Sequence, residues 1–296
     1  MAAPTRSTAA DEPIRDVSDT ALWVAIYRAQ ESERKDALFL DPYARRLGGE
    51  RGQRIVDSVP QGRAWSWPMV VRTKCFDDIV LQSLRDEGFD TVLNLAAGLD
   101  ARPWRLDLPR ETRWIDVDMP AMLAYKQHAM AGETPRCRYT ARAADLREAD
   151  ARRTLFGEVN AHAKRVLVMS EGLLIYLEPH EVAALAEDLA RQPTFERWLI
   201  DLASPMLLEF MAKRFSGPRG LQNAPFLFAP AEGTTFFAAH GWRERAYLST
   251  MLEAERLKRT APMAWFWKLM MPFMPAARRE AFKRFSGYVV LERNAG

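Results

Sequence analysis

From Thr91 onward the sequence alternates short apolar runs with helix-patterned stretches, and this alternation constrains the fold more than any other feature. A strand–helix–strand rhythm builds parallel sheets, because parallel neighbours need a long crossover that is usually a helix. Five runs carry the rhythm: Thr91–Leu95 (TVLNL), residues 113–117 (RWIDV), a run near 137–142, residues 165–169 (RVLVM) and residues 197–202 (RWLIDL). Helices are expected at residues 120–128, 147–155 and 179–191. Two more strands fit residues 242–248 and 288–293, separated by a helix over 251–259, a Trp/Met-rich segment and a basic helix. The expected fold is α/β, with a doubly wound sheet of seven strands.

The chain before Thr91 reads as helical. Ser18 or Asp19 can cap a helix through TALWVAIYRAQES, where Leu22, Ile26 and Ala29 recur on one face. Asp41-Pro42 opens a short segment that Gly48-Gly49 is expected to end, and a long helix fits residues 69–87 and stops at Gly88. One elaborated domain is expected. Its parts are a flexible tail (1–17), a helical region (18–88), a cofactor-binding β/α core (89–202), a helical and irregular lid (203–240), and C-terminal strands with the Trp/Met-rich region (241–296).

Composition excludes several classes. Hydrophobic residues make up 48% and charged residues 27%, enough to bury a sizeable core. The 42 basic and 39 acidic residues are interspersed, so the concentrated basic face of a nucleic-acid binder is missing. The densest basic stretch, Arg278, Arg279, Lys283 and Arg284, reads as a solvated helix face. Cys75 and Cys137 lie far apart in no metal-ligand spacing, and no apolar signal core opens the sequence, so a reducing cytoplasm is expected. Residues 262–275 (PMAWFWKLMMPFMP) are strongly apolar but too short to span a bilayer, and no transmembrane segment is expected. That stretch must be buried, line a pocket, or meet a membrane surface or a partner. The four histidines form no HExxH motif and no GxSxG occurs, so neither a metal site nor a hydrolase of that type is indicated.

In open parallel sheets ligands bind beyond the carboxyl ends of the strands, where the strand order reverses. The first such end reads VLNLAAGLDARPWRL, and Ala96, Ala97 and Gly98 are small enough for backbone to approach a ligand closely. About twenty residues on, the second strand ends in Asp116 and Asp118, and a carboxylate there can accept both hydroxyls of a ribose. A nicotinamide dinucleotide would use a similar arrangement. Yet the turn departs from GxGxxG at its first and third glycines, and Asp100 sits where a pyrophosphate would lie. A cationic, phosphate-free adenosine ligand such as S-adenosylmethionine suits it better, although Arg102 and Arg105 blunt the electrostatic contrast. Asp145-Leu146 after the third strand can meet an adenine and Glu171 after the fourth faces the cleft. Arg72, early in the long helix, can clamp a carboxylate. Each also has a structural reading: Arg72 can pair with Asp77 or Asp78, and Asp145 can cap the next helix.

The stretches TALWVAIYRAQES with DPYA, RTKCFDD, VLNLAAGLDARPWRL, WIDVDMP with Lys126, ADL and SEGLLIYL follow one another through residues 20–177. In this order they resemble the leucine carboxyl methyltransferase family, in its bacterial branch of small-molecule O-methyltransferases. The resemblance implies a Rossmann-like class I methyltransferase fold with S-adenosylmethionine as cofactor. It implies that Arg72 binds the methionine carboxylate, the turn at Ala96 and Gly98 packs on the methionine, and Asp118 holds the ribose. Asp145 and Leu146 would take the adenine and Glu171 the ammonium. The family's turn usually opens with a glycine where this chain has Ala96, whose methyl is expected to tighten the turn or weaken cofactor binding.

Beyond Leu202 the resemblance is loose, and acceptor choice is expected to reside there. Trp265 and Phe266 are candidates for a pocket wall, and Arg28 for contact with an acceptor carboxylate. Methyl transfer is an in-line displacement, so alignment and water exclusion matter most. A carboxylate acceptor needs no base. A hydroxyl acceptor would be helped by one, with Tyr176 or His240 as candidates. A small, apolar or aromatic, polyketide-like acceptor is expected, with no nucleic-acid partner; a protein acceptor and a homo-oligomer stay open.

Overall fold

The seven strands form one sheet in the order β3-β2-β1-β4-β5-β7-β6. They are β1 (Thr91–Leu95), β2 (Arg113–Asp118), β3 (Arg138–Ala143), β4 (Val166–Ser170), β5 (Phe195–Ala203), β6 (Trp242–Ser249) and β7 (Ser286–Arg293). This computed structural model describes residues 17–58, 66–214, 225–261 and 269–294. The first sixteen residues of the expected tail, parts of the expected lid and residues 262–268 of the Trp/Met-rich stretch lie outside the described residues. Strands β1 to β5 are mutually parallel, and β7 runs antiparallel between β5 and β6. The order reverses between β1 and β4, which opens a crevice at their carboxyl ends.

Both faces of the central strands are covered, and every residue of β1 and β4 is buried. Alternation along a strand divides their side chains between two cores. On one face Leu93, Leu95, Val166 and Val168 pack with Leu155 and Phe156 of α6 (Ala149–His162) and Val182 and Leu185 of α7 (Pro179–Ala190). On the other, Val92, Leu167, Met169 and Leu199 pack with Val71, Phe76 and Val80 of α3 (Trp67–Arg85). Pro68 stands in the first turn of α3, where a missing N–H costs nothing. Burying Val71 and Phe76 then fixes the helix azimuth, which carries Arg72 over the ends of β4 and β5.

Further α-helices among the described residues are α1 (Val17–Ser32), α2 (Ala44–Ser58), α4 (Arg102–Arg105), α5 (Pro120–Ala129), α8 (Pro205–Arg214), α9 (Thr250–Arg256) and α10 (Ala276–Lys283). Three expectations need correction. Gly48-Gly49 does not end its segment: α2 kinks at Gly49, with φ 56°, and continues to Ser58. The helix after β3 starts at Ala149 rather than at 147, and Asp145 is not its cap, because that carboxylate is taken by the backbone N–H and guanidinium of Arg147. Helix α9 stops before residue 259 because Lys258 turns the chain with φ 55°, which brings the buried Arg259 onto Glu31 at 2.8 Å. Among the described residues, no helix is long and apolar enough to cross a membrane.

The α1–α2 contact depends on glycine for space. A Cβ at Gly52 would lie 2.8 Å from the Leu22 carbonyl oxygen and 3.0 Å from Ile26. Within a helix, alanine is ordinarily favoured over glycine by about 1 kcal/mol. Here overpacking against an immovable backbone oxygen outweighs that gain, at about 1–3 kcal/mol. Gly52→Ala should therefore lower the unfolding free energy in urea; a rise would show that α1 and α2 are not in close contact.

Candidate functional site

The turn after β1 is built from small residues because it doubles back under the end of β2. Ala96 and Gly98 both take positive φ, 52° and 49°. The Ala97 N–H donates to the Val117 carbonyl at 3.0 Å and the Gly98 N–H donates to Asp118 Oδ2 at 2.6 Å. Asp118 Oδ1 accepts the Met119 N–H at 2.7 Å. Burial pushes the Asp118 carboxyl up from the usual range, against the pull of those two N–H groups. Asp118 thus clips two strand ends together and still lines the crevice.

Asp116, the alternative acid, is fully buried and saturated. It accepts from Lys126 Nζ at 2.6 Å, Trp114 Nε1 at 2.8 Å, Asn94 Nδ2 at 3.0 Å and the Tyr139 hydroxyl at 3.0 Å. It belongs to the core and Asp118 to the cavity. The spacing acid-x-acid separates these roles because the second residue is the last of the strand and reaches its open end.

Behind the crevice lies a network of arginines and carboxylates. Arg102, with a side chain 2% exposed, donates to Asp77 at 2.7 Å, Asp100 at 2.8 Å and Glu171 Oε2 at 2.7 Å. Arg105 forks onto both oxygens of Asp77 at 2.7 and 2.6 Å. Burial alone would raise the Asp100 carboxyl, but Arg102, Lys126 and Arg105 prevail and bring it to about 2. Glu171 Oε1 accepts from Arg72 Nε at 3.0 Å, so this carboxylate sits between two guanidinium groups. Arg72 Nη1 also donates to Asp201 at 2.9 Å, and the Gly172 N–H donates to the other Asp201 oxygen at 2.7 Å. Gly172 has φ 69°, and a Cβ there would come within 3.2 Å of Arg72 Nη1. Glycine is favoured on both counts.

These groups surround a cavity of about 520 Å³ across the strand ends, within the range of small-molecule and cofactor sites. Arg72, Ala96, Gly98, Asp118, Asp145, Leu146 and Glu171 all line it. Arg28 lines it too, but its Nε is held by Asp41 at 2.9 Å and its Nη2 by the Leu99 carbonyl at 2.6 Å, which ties α1 to the β1 turn. Tyr176 lines it with its ring 5.6 Å from Phe226, and burial pushes its phenol up, so it stays protonated at neutral pH. A protonated phenol is no base. His240 is outside the cavity lining: it pairs with Glu187 at 3.1 Å and packs on Phe236, because the short helix Gly233–His240 is seated against α7 and β6. Trp265 and Phe266 lie outside the described residues.

Sequence reasoning did not single out Asp201 and Gly172. Asp201 carried the same signal as Asp118 and Glu171, an acid at the carboxyl end of an apolar run, in RWLIDLA. Gly172 directly follows Glu171 and was readable only as part of a loop.

The sequence profile of the leucine carboxyl methyltransferase family matches residues 21–190, more than half of the chain. The chain belongs to that family. A Parafrankia sp. (strain EAN1pec) protein assigned as an S-adenosyl-L-methionine-dependent methyltransferase is 34% identical, over 83% of each chain. A Streptomyces coelicolor protein with the same assignment is 33% identical, over 77% of this chain and 86% of its own. A solved structure from Thermobifida fusca YX, described as a methyltransferase, superposes with a TM-score of 0.57 at 14% identity, covering 99% of this chain and 100% of that one. A DUF574-family protein from Streptomyces avermitilis gives 0.55 at 13%, over 93% and 97%. The two superpositions show the fold. The family and its relatives make this chain an S-adenosylmethionine-dependent methyltransferase, with S-adenosylmethionine as its cofactor.

The departure at Ala96 has a measurable cost. A non-glycine residue in the left-handed region is strained by about 1–2 kcal/mol, partly offset because glycine is more flexible when unfolded. Ala96→Gly should raise the unfolding free energy in urea by about 0.5–1 kcal/mol; a loss would mean that the turn relaxes when the methyl is present.

Proposed function

We propose that this methyltransferase acts on an oxygen, carboxylate or hydroxyl, of a small and largely apolar acceptor. The observation that carries the reading is the composition of the strand-end cavity. Gly98, Asp118, Asp145 and Glu171 line it toward β1–β4, while Ile175, Tyr176, Leu207, Met211 and Phe226 line it elsewhere. A polar cofactor half therefore continues into an apolar half suited to a flat or aliphatic molecule. Methionine and aromatic walls adapt to such shapes.

S-adenosylmethionine, when bound, supplies a methyl group on a cationic sulfonium. The residues present suit it. Arg72 has two of its five N–H donors engaged by Glu171 and Asp201, which leaves donors for the methionine carboxylate. Glu171 offers charge to the ammonium, and Gly98 lets backbone approach the methionine. Asp118, its oxygens already oriented by Gly98 and Met119, takes the ribose hydroxyls; Asp145 and Leu146 border the adenine. The protein's contribution is alignment and exclusion of water rather than proton chemistry on the cofactor.

Titration calorimetry tests the assignment. S-adenosylmethionine and S-adenosylhomocysteine should bind the wild type, and NADH should not. Asp118→Ala, folded by circular dichroism, should weaken both by about 10- to 100-fold, since hydrogen bonds to a charged group are worth about 1.5–3 kcal/mol. Full affinity in that variant would remove Asp118 from the site, and no binding to the wild type would remove the site itself.

A further inference from the structure

The acceptor half of the cavity holds one carboxylate that the cofactor reading does not use. Asp201 lies near the carboxyl end of β5, one strand beyond β4, which Glu171 follows, and three beyond β2, which Asp118 ends. Strands are spaced about 4.8 Å apart, so Asp201 stands roughly 14 Å along the sheet from the ribose-binding acid. Its register partner on β7 is Tyr288, and Thr250, Ser286 and Tyr176 line the same cavity. The Gly172 N–H and Arg72 Nη1 fix its two oxygens in place. A carboxylate oxygen accepts about two hydrogen bonds, so each oxygen keeps acceptor capacity.

The charges around it discriminate between acceptors. Every arginine among the described lining residues is paired: Arg28 with Asp41, Arg72 with Glu171 and Asp201, and Arg102 with Asp77, Asp100 and Glu171. Likewise Arg105 is held by Asp77, and Arg147 by Asp145. With the free donors of Arg72 given to the cofactor carboxylate, a carboxylate acceptor would approach Asp201 as a like charge with no further uncommitted arginine among the described lining residues, which disfavours it. A hydroxyl would instead donate a hydrogen bond to it.

From this geometry we infer that Asp201 is a catalytic residue and that the acceptor is a neutral hydroxyl. The inference rests on the small-molecule O-methyltransferase reading above and narrows it. As the acceptor oxygen forms its bond to the methyl carbon, the bond from that carbon to sulfur breaks and its electron pair leaves with the sulfur as a neutral thioether. The hydroxyl proton becomes strongly acidic once its oxygen carries the methyl, and it passes to an Asp201 carboxylate oxygen. A carboxylate suffices as base, because a protonated ether is a far stronger acid than a carboxylic acid. Tyr176, protonated, and His240, outside the cavity, do not compete for this role.

The test uses the full-length protein, S-adenosylmethionine labelled in its methyl group, and two acceptor sources. One is a protein-free metabolite extract of the producing cells; the other is a panel of naphthols with their matched naphthoic acids. Expected is label stable to base and released by hydriodic acid as methyl iodide, the signature of a methyl ether. Asp201→Asn should lower kcat by about 100-fold or more, in the range for loss of a general base, with KM nearly unchanged. Its affinity for S-adenosylhomocysteine should stay within about fivefold of wild type by calorimetry, which certifies the fold; Asp201→Glu should recover part of the rate. Base-labile label, released as methanol, would identify an ester and overturn the inference while leaving O-methylation standing. Base-stable label that hydriodic acid does not release, or an ether product made equally well by Asp201→Asn, would also overturn it. No label from either source, with S-adenosylhomocysteine bound, would overturn the small-molecule reading and the inference together.

Discussion

The structure turns on one buried guanidinium. Arg102 joins Asp77 on α3, Asp100 in the β1 turn and Glu171 at the end of β4, so three separately folded segments share one charge centre. Buried ion pairs add little net stability compared with apolar packing, because desolvation cancels most of the attraction. Their value here is placement. With Arg102 present, Glu171 can be a half-buried carboxylate facing the cavity from a fixed position; without it, three acids would lose their common partner. Arg105 and Arg28 extend the same logic outward through Asp77 and Asp41 to the N-terminal helices.

Much of this was legible in the sequence, for identifiable reasons. Strand positions could be read to within a few residues because fully buried parallel strands appear as short, continuous apolar runs, as in TVLNL and VLVM. The lining residues at strand ends followed from topology, since a crevice forms wherever the order reverses. What sequence could not give was the partner of each charge. Arg72 had Asp77 and Asp78 close by in sequence, yet it reaches Glu171 and Asp201, about a hundred residues or more away in sequence, and Asp77 goes to Arg102 and Arg105. Arg28 similarly lies on the cavity wall but is engaged by Asp41. Local signals misled where tertiary contact overrode them, as at Gly48-Gly49, where glycine serves close helix packing rather than termination.

Family membership and geometry divide the functional account between them. The family supplies the cofactor, and the cavity supplies its continuation into an apolar chamber. The charge pattern of that chamber then bears on the acceptor. Once Arg72 holds the cofactor carboxylate, the other arginines that line the cavity among the described residues are committed to acids, and Asp201 favours a proton-bearing nucleophile over a second anion.

That the acid-lined strand ends, oriented by buried arginines, form the cofactor site is the proposal on which the rest depends. It is tested most directly by a crystal structure with S-adenosylhomocysteine bound. Such a site predicts the ribose hydroxyls on Asp118, the adenine beside Asp145 and Leu146, and the ammonium on Glu171. It also predicts that Arg102 still holds Asp77, Asp100 and Glu171. A ligand seated elsewhere, or one that leaves Asp118 and Glu171 without contact, would contradict it.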